Sequence, residues 1–97
     1  MKYFIQDTEI EFKVGDYVEV ACYDITYFGI ITEVEEIMWD IRGQLNVYVN
    51  HEGVYSKHSD IVALYRKNKR GNLICLYEDK ERKKMIEEYR NAGVIEI

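Results

Sequence analysis

Two histidines and two cysteines are the side chains of this 97-residue sequence that most readily bind a metal or attack a substrate. His51 and His58 lie in one polar stretch, and Asp60 follows closely. A structural metal site needs four ligands at a recognised spacing, and a catalytic site needs three. Because the sequence has no such cluster, we interpret both histidines as exposed loop residues and predict no metal and no other cofactor.

The two cysteines look structural rather than catalytic. Cys22 alternates in phase with the apolar Val18 and Val20, and Cys75 lies inside an apolar run. A nucleophilic thiol needs an adjacent base and an electropositive setting. We therefore expect both thiols to be reduced and buried. The sequence also has no glycine-rich phosphate loop and no serine nucleophile elbow, so it predicts no catalytic residue and no enzyme.

Aromatic residues are abundant, with nine tyrosines in the chain. Tyr23 and Tyr27 flank a short loop that holds Asp24, while Tyr48 and Tyr55 alternate out of phase with apolar neighbours. An exposed cluster of these rings would bind a peptide, a cation or a stacked base. In the alternative interpretation, Tyr48 packs beneath a C-terminal helix and Tyr55 is an ordinary cross-strand partner. The sequence leaves both interpretations open.

Charge is distributed unevenly about a net value of −5. Residues 1–60 hold four basic and twelve acidic residues, a net charge of −8, whereas residues 61–97 hold nine and six, a net charge of +3. Glu33 and Glu35 lie in the acidic part and are predicted on the exposed side of a strand. Such a surface favours a protein partner with a basic surface. Alternatively, the acids only keep strand edges from aggregating.

A basic turn offers a second kind of partner. The four cations that cluster there are Arg66, Lys67, Lys69 and Arg70. They would contact phosphate groups, which makes a nucleic-acid- or ribosome-associated module the alternative function. The structural alternative is that they only solubilise the tip of a hairpin.

Short alternating segments, separated by Gly, Asn and Asp in a chain without proline, predict a mainly β fold. Strands are predicted at residues 2–5, 10–12, 17–23, 27–37, 45–49, 54–58, 62–67, 73–77 and 94–97, with a bulge in the 27–37 strand. Residues 59–61 are predicted as one helical turn. Asp79 is predicted to cap a helix through about Asn91, with Gly93 as its stop. In that helix Met85, Ile86 and Tyr89 form a stripe that is expected to be buried against the sheet.

Composition narrows the class of protein further. Apolar residues make up 47% of the chain, as in globular proteins, which excludes a disordered tail. The longest apolar run is too short to span a bilayer, and the start lacks the apolar stretch of a secretion signal. We therefore expect a single domain over residues 1–97, located in the cytoplasm and without membrane contact.

Three segments carry a resemblance to a known fold. Residues 12–20 read FKVGDYVEV, residues 27–34 read YFGIITEV, and residues 59–64 read SDIVAL. They resemble the V-G-D-x-V-x-V opening, the bent glycine-containing second strand and the D-[IL]-x-x-L helical turn of SH3-like small barrels. Tudor and KOW domains share this layout, as do small phage or prophage proteins of the YorP type. The resemblance covers about residues 12–66.

The resemblance implies an SH3-like β-barrel over residues 12–66, extended over residues 67–97 by a hairpin strand, a C-terminal α-helix and a short terminal strand. The similarity to YorP-type proteins also implies a phage or mobile-element accessory protein. Such a protein would bind a host protein and modulate it by occupancy, without chemistry of its own.

The sequence differs from the Tudor and KOW families at two places, and each difference argues against one of the ligands that those families bind. Tyr27 and Phe28 match the aromatic pair of the second Tudor strand, but the family's Asp-Tyr-Gly falls on residues 51–53, which read HEG. A glutamate thus replaces a cage tyrosine, which argues against a methyl-lysine cage. RNA-binding KOW domains carry basic loops, whereas the corresponding loops here hold Asp24 and Asp40.

Overall fold

The computed structural model of the chain describes residues 2–22, 25–36, 44–50, 54–57 and 60–94, with backbone alone at residues 22, 25, 54–57 and 92–94. The fold is mainly β with one C-terminal helix, as the sequence predicts. Its elements are β1 Tyr3–Phe4, β2 Glu11–Phe12, β3 Tyr17–Cys22, β4 Ile25–Glu36, β5 Leu45–Val49, β6 Val54–Lys57, β7 Ile61–Lys67, β8 Leu73–Glu78 and α1 Lys80–Val94. Residue 59 of the predicted helical turn and residues 95–97 of the predicted terminal strand lie outside the described residues. Of the rest, Ile61 belongs to β7 and Val94 to α1.

The strands form one large antiparallel sheet and one small one. Strands β1 and β2 pair with each other, and the other six follow the order β6-β5-β4-β3-β7-β8. In the described part of the chain, β6 and β8 are the two edges of the large sheet, and no strand pairing joins them. The sheet is therefore open in its hydrogen-bond pattern.

Strand β4 joins the two halves of the large sheet. Its first half pairs with β3 and its second half with β5, and the register shifts between Ile31 and Glu33. This irregularity confirms the predicted bulge, which bends the strand. Before it, Gly29 packs so closely against Val49 and Asn50 that a Cβ atom there would collide with both side chains. The bend therefore depends on a residue without a side chain.

One face of each central strand is apolar and buried. Val18 and Val20 on β3 alternate with outward-facing residues, as predicted, and Val47 and Val49 do the same on β5. Burial of such alternating positions is the main source of stability in a sheet of this kind. The other buried members of this cluster are Ile5, Phe12, Ile31, Ile61 and Leu64.

A buried ion pair fixes the turn before β3. Asp16 is only 1% exposed. Its carboxylate accepts hydrogen bonds from Arg66 Nε at 2.8 Å and Arg66 Nη2 at 2.7 Å, and a third from the backbone N–H of Lys13 at 3.0 Å. The same guanidinium donates to the carbonyl of Glu11 at 3.2 Å. Arg66 thereby ties β7 to both β2 and the turn.

Helix α1 begins at the predicted cap. The Asp79 carboxylate accepts a hydrogen bond from the Arg82 N–H at 3.0 Å, and the Asp79 N–H donates to the Val62 carbonyl at 2.8 Å. These bonds fix the start of the helix on β7. The helix continues through Gly93 to Val94, so the predicted stop at Gly93 is wrong.

The prediction for the apolar stripe of α1 is only partly correct. Ile86 is 7% exposed and packs onto the sheet, but Met85 is 66% and Tyr89 is 69% exposed. The helix turns its row of Lys83, Ile86 and Arg90 to the sheet instead. Lys83 pairs with carboxylates on two strands, and this ionic contact sets the rotation of the helix. Met85 and Tyr89 of the apolar stripe are therefore turned away from the sheet.

The prediction that Cys75 is buried is wrong, because its side chain is exposed. Strand β8 is the last strand of the sheet, beyond the buried core, so Leu73 and Ile74 are also 44% and 47% exposed. The side chain of Cys22 lies outside the described residues. Along the described ranges, no helix is both long and apolar enough to cross a membrane.

Candidate functional site

Strands β4 and β5 bring three of the predicted site residues together. Glu33 lies directly opposite Tyr48, and Glu35 lies opposite Asn46. The carboxylate of Glu35 accepts hydrogen bonds from Asn46 Nδ2 at 3.0 Å and from the Tyr48 hydroxyl at 3.2 Å. Glu33, Glu35, Asn46 and Tyr48 form a surface that we call the acidic face, and Glu36 ends the strand next to it.

The acidic face carries uncompensated negative charge. Glu33, Glu35 and Glu36 are exposed, and none of them pairs with a lysine or arginine within the described residues. The alternation of β4 explains the placement of Glu33 and Glu35, because Val34 packs against the core and its two neighbours face outward. Glu36 is in phase with Val34 and is the last residue of the strand. Such a surface accepts hydrogen bonds and ion pairs from lysine and arginine side chains.

The other predicted members of the acidic and aromatic surface are placed elsewhere or not described. Tyr27 lies opposite Val20, packs half-buried against the core, and its hydroxyl accepts a hydrogen bond from Asn50 Nδ2 at 3.2 Å. Tyr23 and Asp24 lie outside the described residues, as do His51 and His58. Tyr55 is described by its backbone alone, which pairs with Tyr48 across β5 and β6.

A second surface, which sequence reasoning missed, lies on the outer side of β4, β3 and β7. The Phe28 ring lies 5.9 Å from the Tyr17 ring and 5.9 Å from the Tyr65 ring, measured between centroids. Phe28 is 50% exposed, so this trio, the aromatic platform, faces solvent. A signal existed, because Tyr17 and Tyr65 alternate out of phase with buried residues, but only the cross-strand register unites the three rings.

The basic turn adjoins the aromatic platform. Lys67 Nζ lies 5.6 Å from the centre of the Tyr17 ring, within the range of a cation–π contact. Lys69 and Arg70 are exposed in the turn. The turn itself is ordered by Asn68, whose Oδ1 accepts hydrogen bonds from the N–H groups of Arg70 at 2.9 Å and residue 72 at 3.0 Å.

Arg66 belongs to the predicted basic cluster, but it has a structural role: it pairs with Asp16. Its hydrogen bonds to the Asp16 carboxylate raise the pKa of its guanidinium, against the opposing effect of burial. Because that pairing holds the β3 turn in place, Arg66 is not free to contact phosphate. Three exposed cations, Lys67, Lys69 and Arg70, therefore remain of the four that the sequence suggested.

An ionic cluster beneath α1 closes one end of the platform. Lys83 Nζ lies 3.0 Å from a carboxylate oxygen of Glu19 and 3.0 Å from one of Glu78. Burial opposes ionisation of Glu19, but hydrogen bonds from Thr26 and Lys83 outweigh it and lower the pKa of that carboxyl. Burial also raises the pKa of the Tyr65 hydroxyl. The platform thus adjoins α1 through the pairing of Glu19 with Lys83.

Both surfaces lie on the faces of strands, and along the described ranges no three His, Cys, Asp or Glu side chains converge as metal ligands. Their chemistry is that of contact: ion pairing on the acidic face, and stacking with cation contacts on the platform.

Comparison of the chain with family models, with curated proteins and with solved structures gives no match. The function is therefore inferred from the acidic face and the aromatic platform.

Proposed function

We propose that the chain is a non-enzymatic binding protein whose acidic face holds a basic surface of a partner protein. The observation that carries this proposal is that Glu33 and Glu35 lie beside Tyr48 on one face of β4 and β5, and that neither pairs with a lysine or arginine among the described residues. Acids that only kept a strand soluble would not need an aromatic residue bonded into the same row.

The two components of the acidic face make different contributions. An exposed ion pair is worth only about 0.2–1 kcal/mol, so the carboxylates of Glu33 and Glu35 alone give weak affinity. Their field instead speeds encounter with a positive patch. Tyr48 supplies flat contact area at low entropic cost, as anchors of protein interfaces do. The carboxylates of the acidic face therefore raise the association rate, and Tyr48 provides the contact that holds the partner.

We further propose that the sheet has the layout of an SH3-like barrel. Three features support this layout: β3 begins directly after Val14-Gly15-Asp16, β4 contains Gly29 and a bend, and β7 follows a short turn at Asp60. Strand β6 also approaches β3, as a sheet that curls toward closure requires. Modulation of a host protein by a phage-type accessory protein is the biological context that the YorP-type resemblance suggests.

Charge-neutral variants test the acidic face. The double variant E33Q/E35Q removes two charges but keeps the amide oxygen that Asn46 and Tyr48 need at position 35. We expect proteins captured from a lysate by the immobilised wild-type chain to be lost with this variant. A captured partner should also associate more slowly as salt rises to physiological strength, where the screening length falls to ~8 Å.

A matched control separates a local effect from net charge. The variant E81Q/E88Q removes the same two charges from exposed positions on α1 and should capture the partner as the wild type does. Equal capture by all three proteins would contradict the proposal, and so would an association rate that is independent of salt.

A second candidate function is binding of single-stranded nucleic acid on the aromatic platform. It rests on one observation, the Lys67 ammonium 5.6 Å from the Tyr17 ring beside the exposed Phe28. Bases stack on exposed rings for about 1–3 kcal/mol each, while neighbouring cations hold the phosphates. The acidic first half of the chain opposes this function, which is why we rank it second.

A labelled single-stranded oligonucleotide tests the second candidate by fluorescence anisotropy. Phe28→Ala should weaken binding about tenfold, the loss of one stacked base. Tyr89→Ala, which removes another exposed ring from α1, is the control and should have no effect. Absence of binding at low salt, or an equal effect of both variants, would reject this function without touching the proposal for the acidic face.

A further inference from the structure

Gln44 holds an unsatisfied hydrogen-bond acceptor in a buried position. The residue immediately precedes β5 and is only 8% exposed. Its side-chain oxygen Oε1 is buried and receives no hydrogen bond within the described residues. Nearly all buried polar groups have a partner, because a group without one has lost its hydration and gained no bond in exchange. A donor supplied by a ligand would remove that cost.

The alternation of β5 places Gln44 at the end of the acidic face. Leu45 and Val47 pack toward the core, so Gln44 and Asn46 belong to the opposite side of the strand. Asn46 lies opposite Glu35 on β4. Gln44 and Glu35 are therefore diagonal neighbours, which lie about 7–8 Å apart in an antiparallel pair, within reach of each other's long side chains.

The Glu35 carboxylate is held in position with one oxygen free. Its Oε1 accepts hydrogen bonds from Asn46 Nδ2 at 3.0 Å and from the Tyr48 hydroxyl at 3.2 Å. Its Oε2 has no partner among the described residues. Glu33, exposed two residues earlier on the same side of β4, adds a second negative charge. The Asn46 and Tyr48 donors are directed at Glu35, so this end of the face offers a ligand acceptors and negative charge.

From the unsatisfied oxygen of Gln44 and the free oxygen of Glu35, we propose that this end of the acidic face binds an arginine side chain of the partner protein. A guanidinium carries five N–H donors in a planar fork, so one group can donate to a carboxylate and to a neutral amide oxygen together. A lysine ammonium is more strongly hydrated, so bringing it against the buried oxygen of Gln44 costs more. This inference rests on the function proposed for the acidic face and names the side chain that the face selects.

One substitution should have opposite effects on stability and on binding. Gln44→Met keeps the length of the side chain but removes the acceptor. The free chain should then unfold at an equal or higher urea concentration, because the unsatisfied oxygen is gone. A glutamine with only a structural role would instead lose stability on this change.

Capped tetrapeptides of arginine and of lysine test the selection. Binding is followed by NMR titration, with the side-chain amide signal of Gln44 as the local reporter. The arginine peptide should bind the wild-type chain about tenfold more tightly than the lysine peptide, and Gln44→Met should remove that advantage, as the loss of one hydrogen bond to a charged group predicts. Gln6→Met makes the same change at an exposed glutamine between β1 and β2, and it should bind both peptides as the wild type does.

The peptide titrations separate this inference from the proposed function. Equal binding of both peptides, weakened in each case by E33Q/E35Q, would leave the acidic face intact but overturn the selection of arginine. Failure of both peptides to bind, or binding that E33Q/E35Q does not change, would contradict the proposed function and this inference together. An arginine preference that persists in Gln44→Met would overturn the role of Gln44.

Lys57 provides a final check. Its backbone lies opposite Asn46 on β6, so the register places this lysine beside the site. Lys57→Ala should leave the affinity for the arginine peptide within about twofold of the wild-type value, as for a single exposed charge. A gain of about tenfold would show that the chain's own lysine already occupies the acceptors, and the proposal would then be wrong.

Discussion

Asp16 places a negative charge in the interior and satisfies it with a partner 50 positions away in sequence. Its carboxylate is held by both nitrogens of one arginine edge and by a backbone N–H, so three donors replace the water lost on burial. The sequence identifies Asp16 as a turn residue after Gly15. It cannot identify Arg66 as the partner, because that pairing follows from the β3–β7 register alone.

Asp16→Asn should therefore cost about 2–3 kcal/mol of the free energy of unfolding. The value is below that of a fully buried pair because the Arg66 side chain keeps 34% of its exposure. Urea unfolding gives the measurement. The control is Asp60→Asn, whose pair with Arg82 is about one third exposed on both sides and should cost under ~1 kcal/mol. Equal losses would mean that burial of Asp16 does not matter.

Glu19 makes the stability of the fold depend on pH. Folding lowers the pKa of this carboxyl, so its ionised form stabilises the native state. That contribution is complete above the ordinary pKa near 4.5 and is lost as pH falls through the lower native value. Glu19→Gln should therefore lose less stability than the wild type between pH 6 and 3. Urea unfolding at several pH values checks this, and a wild-type slope in the variant would contradict it.

Helix α1 shows how a short amphipathic element can dock by charge as much as by apolar surface. Ile86 is its buried apolar contact among the described residues, and Lys83 joins it to carboxylates on β3 and β8. Burial of the lysine stem opposes its charge, yet bonds from Glu78 and Glu19 raise the pKa of the ammonium, so it stays protonated. The pair of contacts fixes both the position and the rotation of the helix.

Ile86→Ala should destabilise the chain by about 2 kcal/mol, the lower end for a buried isoleucine, because the site lies at the border of the core. Tyr89→Ala removes a larger side chain that is 69% exposed, and we expect a change within about 0.5 kcal/mol. Thermal and urea unfolding of both variants provide the comparison. A larger loss of stability for Tyr89→Ala than for Ile86→Ala would instead support the buried stripe that the sequence predicts.

Local patterns in the sequence predict the strands well but not their neighbours. The alternation of Val18 and Val20 predicts β3, and the phase change after Ile31 predicts the bulge in β4. The rotation of α1 depends on the pairing of Lys83 with carboxylates on two strands, and the exposure of Cys75 depends on which strand ends the sheet. Both are tertiary properties. For the same reason, only part of the acidic face could be predicted: the alternation of β4 indicates that Glu33 and Glu35 face outward, but not that Tyr48 lies beside them. The aromatic platform could not be predicted, because its three rings meet only through the register of three strands.

On the scale of the whole molecule, exposed acidic and exposed basic side chains cluster in different places. Carboxylates collect on the second half of β4, and exposed cations collect at the turn between β7 and β8. This separation is part of the uneven distribution along the chain, with a net charge of −8 over residues 1–60 and +3 over residues 61–97. The single domain over residues 1–97 and the cytoplasmic location stay predictions.

The sharing of β4 by both halves of the sheet has a consequence for native-state hydrogen exchange. Loss of β4 would open both halves at once, because β3 and β5 both form hydrogen bonds with it. The amides of Val18 and Val47 should therefore exchange through the same global opening, with free energies equal to that of unfolding. Exchange followed by NMR at increasing urea should make their opening energies converge. Two separate limits would mean that the bend at Ile31 is a boundary between independent folding units.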